Sequence, residues 1–282
     1  MKKKHLYKVY SKSTSAVKQL VFDGNFEGIS DTVYNDYWDV VGTPTHGVKN
    51  RVDAYPDTTT ESAIELDGTA NYIAAPSVSA DVSPAINYTD FTFFVRWYKA
   101  DWDEGTDQSL VDHISVGDAG KVRGWGLFID NTSSKLQARV ALGSGTGGVT
   151  EASIDKAEYD LSSISAGWHT IGFGSDGRYI RLWVDGVEVD TYDNTTDIGI
   201  SDINDHGIYI GKTLRSSEST DYATGVVSSM GFYSALLTTS QVLAIHDSNN
   251  PIFSDLEFHY SMNEATGSSL SDDIASADAT IF

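Results

Sequence analysis

The residues with the greatest chemical capacity in this chain are carboxylates, and they fall into three groups. Asp185, Glu188 and Asp190 lie close together. Two carboxyl groups on one strand face could share acid and base duty at a glycosidic bond. Only Glu188 and Asp190 have the same strand parity, because Asp185-Gly186 is a hairpin turn signal. The spacing predicts solvent-facing strand residues and no catalytic pair. The second group is the loop Asp101-Trp102-Asp103-Glu104-Gly105-Thr106-Asp107. A hard cation such as Ca2+ takes several oxygen ligands. Asp103, Glu104 and Asp107 could supply them around a bend at Gly105, although the loop lacks the full EF-hand pattern and also reads as a solvated acidic loop. The third group is Asp23, Asn25 and Asp31 near the N-terminus.

Glycan recognition calls for aromatic rings beside polar groups. Trp102 and Tyr222 both sit in polar loops with Asp neighbours, so Trp102, Tyr222, Asp101 and Asp103 form the candidate ligand-binding set. Trp97, Trp168 and Trp183 lie in strand patterns and are expected in the core, whereas Trp125 fits either setting. A Ser-His-Asp relay is compatible with the composition, but none of the seven histidines has a nucleophile motif around it. Gly143-Ser144-Gly145-Thr146-Gly147-Gly148 lacks the Lys-Ser/Thr ending of a phosphate loop and reads as a hairpin tip. Asn87, Asn131 and Asn194 head N-x-Ser/Thr sequons, which matter only in a eukaryotic secretory pathway.

These residues need strands to position them. Trp168, Thr170 and Gly172 alternate with His169, Ile171 and Phe173, a period-2 pattern. Ser175-Asp176-Gly177 and Asp185-Gly186 then mark two turns, giving a strand-turn-strand-turn-strand meander. Phe91, Phe93, Val95 and Trp97 share one face, and so do Leu136, Ala138, Val140 and Leu142. One helix is predicted from about Thr239 to His246, with Thr238 and Gln241 as a capping box and Leu237 with Val242 as a hydrophobic staple. Residues 32–61 read as a long ordered loop with short strands.

Charge is uneven. Lys2, Lys3, Lys4, Lys8, Lys12 and Lys18 precede the first acid, Asp23. Residues 23–282 then hold 13 basic against 40 acidic side chains, a formal −27. A basic arm, residues 1–16, thus precedes an acidic body; it reads either as a solubilising, floppy terminus or as an arm that docks through Lys2, Lys3, Lys4 and Lys8 on an identical subunit or another acidic partner. Leu6 to Tyr10 has strand propensity, so docking could add a strand to an exposed edge. The acidic body argues against nucleic acid. No Cys is present, and no apolar run could span a membrane or form a signal-peptide core, so no membrane insertion is expected.

The meander from Trp168 to Val187 resembles the corresponding stretch of laminin-G-like domains in the concanavalin A-like lectin/glucanase superfamily. Val21 to Asn25, Ala63 to Ile73, Phe91 to Tyr98, Gly124 to Asp130, and Gly225 to Val242 resemble further blocks in the family's order. The resemblance implies an all-β jelly-roll sandwich, over residues 17–250, with one short helix near the C-terminus. Family glycosidases carry Glu-x-Asp-x-(x)-Glu on one strand, and no such run occurs here. A calcium site of the family often uses an acid where this chain has Ser228 and Ser229. Residues 251–282 resemble a second module opening at Phe258 to Ser268 and are expected to pair as a strand with this sandwich or a neighbour's, the alternative being a truncated relic of a tandem array.

Together these features predict a non-enzymatic binding or structural protein. The leading expectation is a bacteriophage virion component (capsid decoration, fibre or tail-associated subunit) that contacts other virion proteins and a host-surface glycan. The alternative is a bacterial carbohydrate-binding module at the cell surface, and the third reading is a glycoside hydrolase.

Overall fold

Side-chain alternation decides where the core lies. The computed structural model describes residues 7–11, 18–22, 46–47, 63–75, 90–116, 121–142, 149–150, 154–195, 207–213, 221–248, 254–262, 269–270 and 279–281. Its strands are β1 (Tyr7–Ser11), β2 (Lys18–Phe22), β3 (His46–Gly47), β4 (Ala63–Asp67), β5 (Ile73–Ala75), β6 (Phe91–Lys99), β7 (Gln108–Val116), β8 (Lys121–Asp130), β9 (Lys135–Val140) and β10 (Val149–Thr150). They continue with β11 (Asp155–Asp160), β12 (Gly167–Ser175), β13 (Tyr179–Val184), β14 (Val187–Asp193), β15 (Ile208–Ile210), β16 (Thr224–Tyr233), β17 (Leu256–Tyr260), β18 (Ser269–Leu270) and β19 (Ala279–Ile281). The helix α1 spans Thr239–Ser248.

Among the described residues, one antiparallel sheet runs β14-β13-β12-β6-β16-β4-β3, with β17 beside β16. The other runs β11-β9-β8-β7-β15-β5-β19-β18, with β10 beside β8. This is the expected all-β sandwich with one short helix. The parity predicted for β6 holds: Phe91, Phe93, Val95 and Trp97 are all fully buried between the sheets, as are Leu136, Ala138 and Val140. Trp125, from the second sheet, stacks on Phe91 at 4.8 Å and on Phe232 at 5.6 Å, both from the first. Each buried large apolar side chain contributes about 1.5–3 kcal/mol, so this inter-sheet aromatic cluster holds the layers together. Trp97 and Trp125 belong to the inter-sheet core. Trp183 and Trp168 are also buried, but on the opposite face of the first sheet.

That opposite face is roofed by α1. Leu237, Val242 and Ile245 pack on Phe94, Trp183 and Tyr233. The predicted capping box forms: Gln241 Oε1 accepts the Thr238 N–H at 2.9 Å, and Thr238 Oγ1 accepts the Gln241 N–H at 3.4 Å. Leu237 and Val242 are both buried in the same cluster, as a staple requires.

The C-terminal strands complete this sandwich. β17 pairs with β16, Met230 opposite Tyr260, and β19 pairs with β5. Phe258, Tyr260 and Met262 are buried. At the other end β1 pairs with β2, Tyr7 opposite Phe22. The strand propensity of the basic arm is used in a hairpin within the chain, and that hairpin crosses the boundary expected at residue 16. Lys8 lies in β1. Lys2, Lys3, Lys4, Asp23, Asn25 and Asp31 lie outside the described residues, as does most of 32–61. No helix among the described residues is long and apolar enough to cross a membrane.

Candidate functional site

The acidic loop after β6 is built around a buried cation. Lys99, the last residue of β6, is 1% exposed. Its ammonium donates to Gln108 Oε1 at 2.8 Å, to Thr224 O at 3.0 Å and to Thr224 Oγ1 at 2.7 Å. It also pairs with Glu104 at 3.2 Å. Burial pushes the Lys99 ammonium below its usual range, and the Glu104 carboxylate opposes that shift. Glu104 further accepts from Gln108 Nε2 at 3.0 Å and from Thr224 Oγ1 at 2.5 Å. Asp101 accepts the Asp103 N–H at 2.9 Å, and Asp107 accepts the Asn131 N–H at 2.8 Å. The loop is thereby clamped to the start of β16.

Two expectations change here. Asp103, Glu104 and Asp107 are not gathered round one point: among the described residues no cluster of three or more His, Asp or Glu side chains could hold a metal ion. Glu104 and Asp107 satisfy loop donors instead. Trp102 does not offer its ring to a ligand. It is 2% exposed and packs into the inter-sheet core, with the His169 ring edge-on at 5.7 Å. A large apolar ring beside a core is driven inward by the area it removes from water, whatever the polarity of its chain neighbours. Asp101 and Asp103, flanking it, are exposed.

His169 lies in a set that the sequence did not reveal. Its Nδ1 is 2.6 Å from Asp185 Oδ2, and its Nε2 is 3.4 Å from Ser165 Oγ. By type this is a nucleophile-base-acid relay. By geometry it is a clamp, because Nε2 lies closer, at 3.0 Å, to the Ser165 carbonyl oxygen than to its hydroxyl. A nitrogen aimed at a carbonyl acceptor has no lone pair directed at a serine proton. Asp185 also accepts the Thr170 N–H at 2.9 Å, and His246 from α1 stands 3.8 Å away. Asp185 and Gly186 both have positive φ, +52° and +76°, so the expected hairpin turn is present and aims this carboxylate back at β12. Glu188 accepts from Thr239 at 2.9 Å and pairs with Arg181 at 3.3 Å, while Asp190 accepts the Glu158 N–H at 2.7 Å. Both are half-buried and bonded, not simply solvent-facing as expected.

A group of half-buried aromatic side chains lies elsewhere. Tyr222 forms an isolated antiparallel bridge with Lys212, on the stretch that carries the chain from β15 in one sheet to β16 in the other. The Lys212 ammonium is 4.3 Å from the Tyr72 ring centroid and 5.7 Å from that of Tyr222. Tyr209 of β15 stands 6.1 Å from Tyr72. All four residues are half-buried. Of the expected ligand-binding residues only Tyr222 falls in this patch. Tyr72, Tyr209 and Lys212 were missed, since 140 positions separate Tyr72 from Lys212 and only strand pairing brings them together.

Residues 67–243, well over half of the chain, match a laminin-G model described as the concanavalin A-like lectin/glucanases superfamily. No curated protein matches. Among solved structures, a Bacteroides ovatus protein provisionally described as carbohydrate-binding shares 15% identity over 84% of this chain, at a TM-score of 0.54. The chain spans 64% of that protein's length. The CBM40 domain of the Ruminococcus gnavus IT-sialidase, solved with α2,3-sialyllactose, shares 16% identity over 65% of this chain and 96% of its own, at a TM-score of 0.46. Domains LG4-5 of mouse laminin α1 share 16% identity over 61% of this chain and 40% of theirs, at a TM-score of 0.40.

Proposed function

The chain belongs to the concanavalin A-like lectin/glucanase superfamily, and we propose that within it this protein is a glycan-binding module that holds a surface saccharide without cutting it. The observation that carries this reading is the half-exposed patch of Tyr72, Tyr209 and Tyr222 around Lys212. Phenol rings offer an apolar face and a hydroxyl on a stiff side chain, which suits sugars that present both C–H and O–H groups. Tyr222 lies two residues before Thr224, which the Lys99-Glu104 cluster holds in place. The carboxylates nearest to a catalytic pair, Glu188 and Asp190, are committed to structural bonds.

The virion role expected from the sequence drew in part on terminal segments docking on neighbours; the C-terminal one pairs within its own sandwich. A virion surface remains one setting for a glycan-binding module, alongside a bacterial surface.

The test is an array of immobilised glycans probed with the wild-type chain and with Tyr72→Ala and Tyr222→Ala. Selective binding, weakened about tenfold or more in the variants at unchanged melting temperature, is the expected result; one lost ring contact of about 1.4 kcal/mol suffices for that factor. A folded wild-type chain that binds no glycan, or binding indifferent to both substitutions, would overturn the proposal. Bound glycan should be recovered with unchanged mass.

A further inference from the structure

Within that glycan-binding reading, on which this step rests, we infer that the Lys212-Tyr72-Tyr222 patch recognises an acidic sugar: one isolated carboxylate on an otherwise neutral glycan. Six of the other described cations have carboxylate partners: Lys99, Lys135, Lys156, Arg139, Arg178 and Arg181, at 2.6 to 4.0 Å. Such pairing is expected where 40 acidic side chains meet 19 basic ones. Arg96 is buried over the Trp168 ring at 5.3 Å, whereas half-buried Lys212 reaches the surface. Its ammonium contacts are two phenol rings, and among the described residues no carboxylate pairs with it.

A ring face attracts a cation through its quadrupole but accepts none of its N–H groups in the way an oxygen does. The ammonium of Lys212 is therefore positioned by Tyr72 while its donors stay available. A carboxylate is a group that such donors bind strongly, since a charge-assisted hydrogen bond is roughly twice as strong as a neutral one. Tyr222, whose ring lies farther from the ammonium, supplies an apolar face beside it, and Tyr209 flanks Tyr72. The geometry suits a pyranose ring packed on a tyrosine with its acid turned to Lys212.

The body's charge sets the upper limit on the ligand's. A formal charge of −21 repels polyanions, and their many charges would meet acidic side chains beyond the patch. A single carboxylate touches Lys212 directly, and other charges farther than about 8 Å away are largely screened at physiological salt. The ligand is thus a uronate- or sialate-type sugar in a neutral glycan, and not a polysulfated chain or nucleic acid.

The experiment titrates the full chain with an oligosaccharide ending in a carboxylated sugar, with its methyl ester, and with a polysulfated oligosaccharide. Wild type, Lys212→Gln and Lys212→Arg are compared, and melting temperature monitors folding. The expected result is about tenfold preference of wild type for the free acid over the ester, lost in Lys212→Gln and partly kept in Lys212→Arg. Equal affinity of wild type for acid and ester overturns the inference but leaves glycan binding standing. So does a preference that survives Lys212→Gln, or tighter binding of the polysulfate. Should Lys212→Gln fail to fold, the acid-to-ester ratio of wild type alone decides. No binding of any saccharide would overturn both readings.

Discussion

His169 Nδ1 and Asp185 Oδ2 stand 2.6 Å apart, linking β12 to the turn between β13 and β14. Burial pushes the Asp185 carboxyl up, but the hydrogen bond and charge of His169, the Thr170 N–H and the charge of His246 together carry it below the ordinary range. A carboxylate depressed in the folded state contributes stability above its unfolded value, about 3.9, and loses it as pH falls through the lower folded value. Asp185→Asn should cost about 1–2 kcal/mol at neutral pH, allowing for solvent screening at this partly exposed group. The urea midpoints of wild type and variant should converge below pH 4. A gap that persists undiminished at pH 2.5 would refute this account of Asp185.

The buried ammonium of Lys99 makes a second prediction. It satisfies Gln108 and Thr224 and meets Glu104, so three elements depend on one charge. Removing one partner from a buried polar cluster leaves the rest unpaired. Lys99→Met should destabilise by about 3 kcal/mol, and Glu104→Gln, which removes the charge and keeps one of the two acceptor oxygens, by about 1 kcal/mol. Chemical denaturation measures both. If Lys99→Met were the milder of the two, the clamp would not be the source of the loop's order.

Much of the fold could be read from the chain because its signals are local. The parity of Phe91, Phe93, Val95 and Trp97, the Asp185-Gly186 turn and the Thr238/Gln241 box each involve residues within a few positions of one another, and each is present. The site was harder to read for the opposite reason. Tyr72, Lys212 and Tyr222 come from segments that meet only after two sheets have formed. Trp102 misled because a single ring in a polar loop has no periodicity to reveal its direction, and the core beneath it decided the matter. The acids of 101–107 suggested a cation site by density alone. Their partners, Asn131 and Thr224, lie on distant strands or turns.

Gly225 offers a test of the packing where the chain enters β16. It adopts φ +128°, and a Cβ there would collide with Trp97 Nε1 and lie 2.5 Å from the Tyr98 carbonyl oxygen. Trp97 Nε1 donates to the Thr224 carbonyl at 3.1 Å, so the collision falls on a bond that holds the strand entry. Gly225→Ala combines backbone strain with overpacking and should cost roughly 2–5 kcal/mol. Because Thr224 and Tyr222 adjoin it, glycan binding should weaken as well. A thermal melt within a degree of wild type would show that the strand entry yields where the packing says it cannot.

Trp102 and Tyr222, paired in the sequence as exposed aromatics, should separate under mutation. Trp102 is core material, and Trp102→Ala should cost about 3–5 kcal/mol, as truncation of a buried large aromatic does. Trp102→Phe should cost less: it keeps most of the apolar ring, and the indole N–H it removes is buried with no acceptor among the described residues, so no hydrogen bond is lost with it. Tyr222 is half-buried at the edge of the patch. Tyr222→Ala should change stability by less than about 1 kcal/mol while lowering glycan affinity about tenfold or more. Melting curves and binding isotherms on the three variants give a two-by-two contrast. Trp102→Phe should retain binding, which distinguishes a residue that supports the site by packing from one that touches the ligand. If Trp102→Phe lost binding at full stability, the ligand contact would belong to the 101–107 loop after all, and the tyrosine patch would lose its claim.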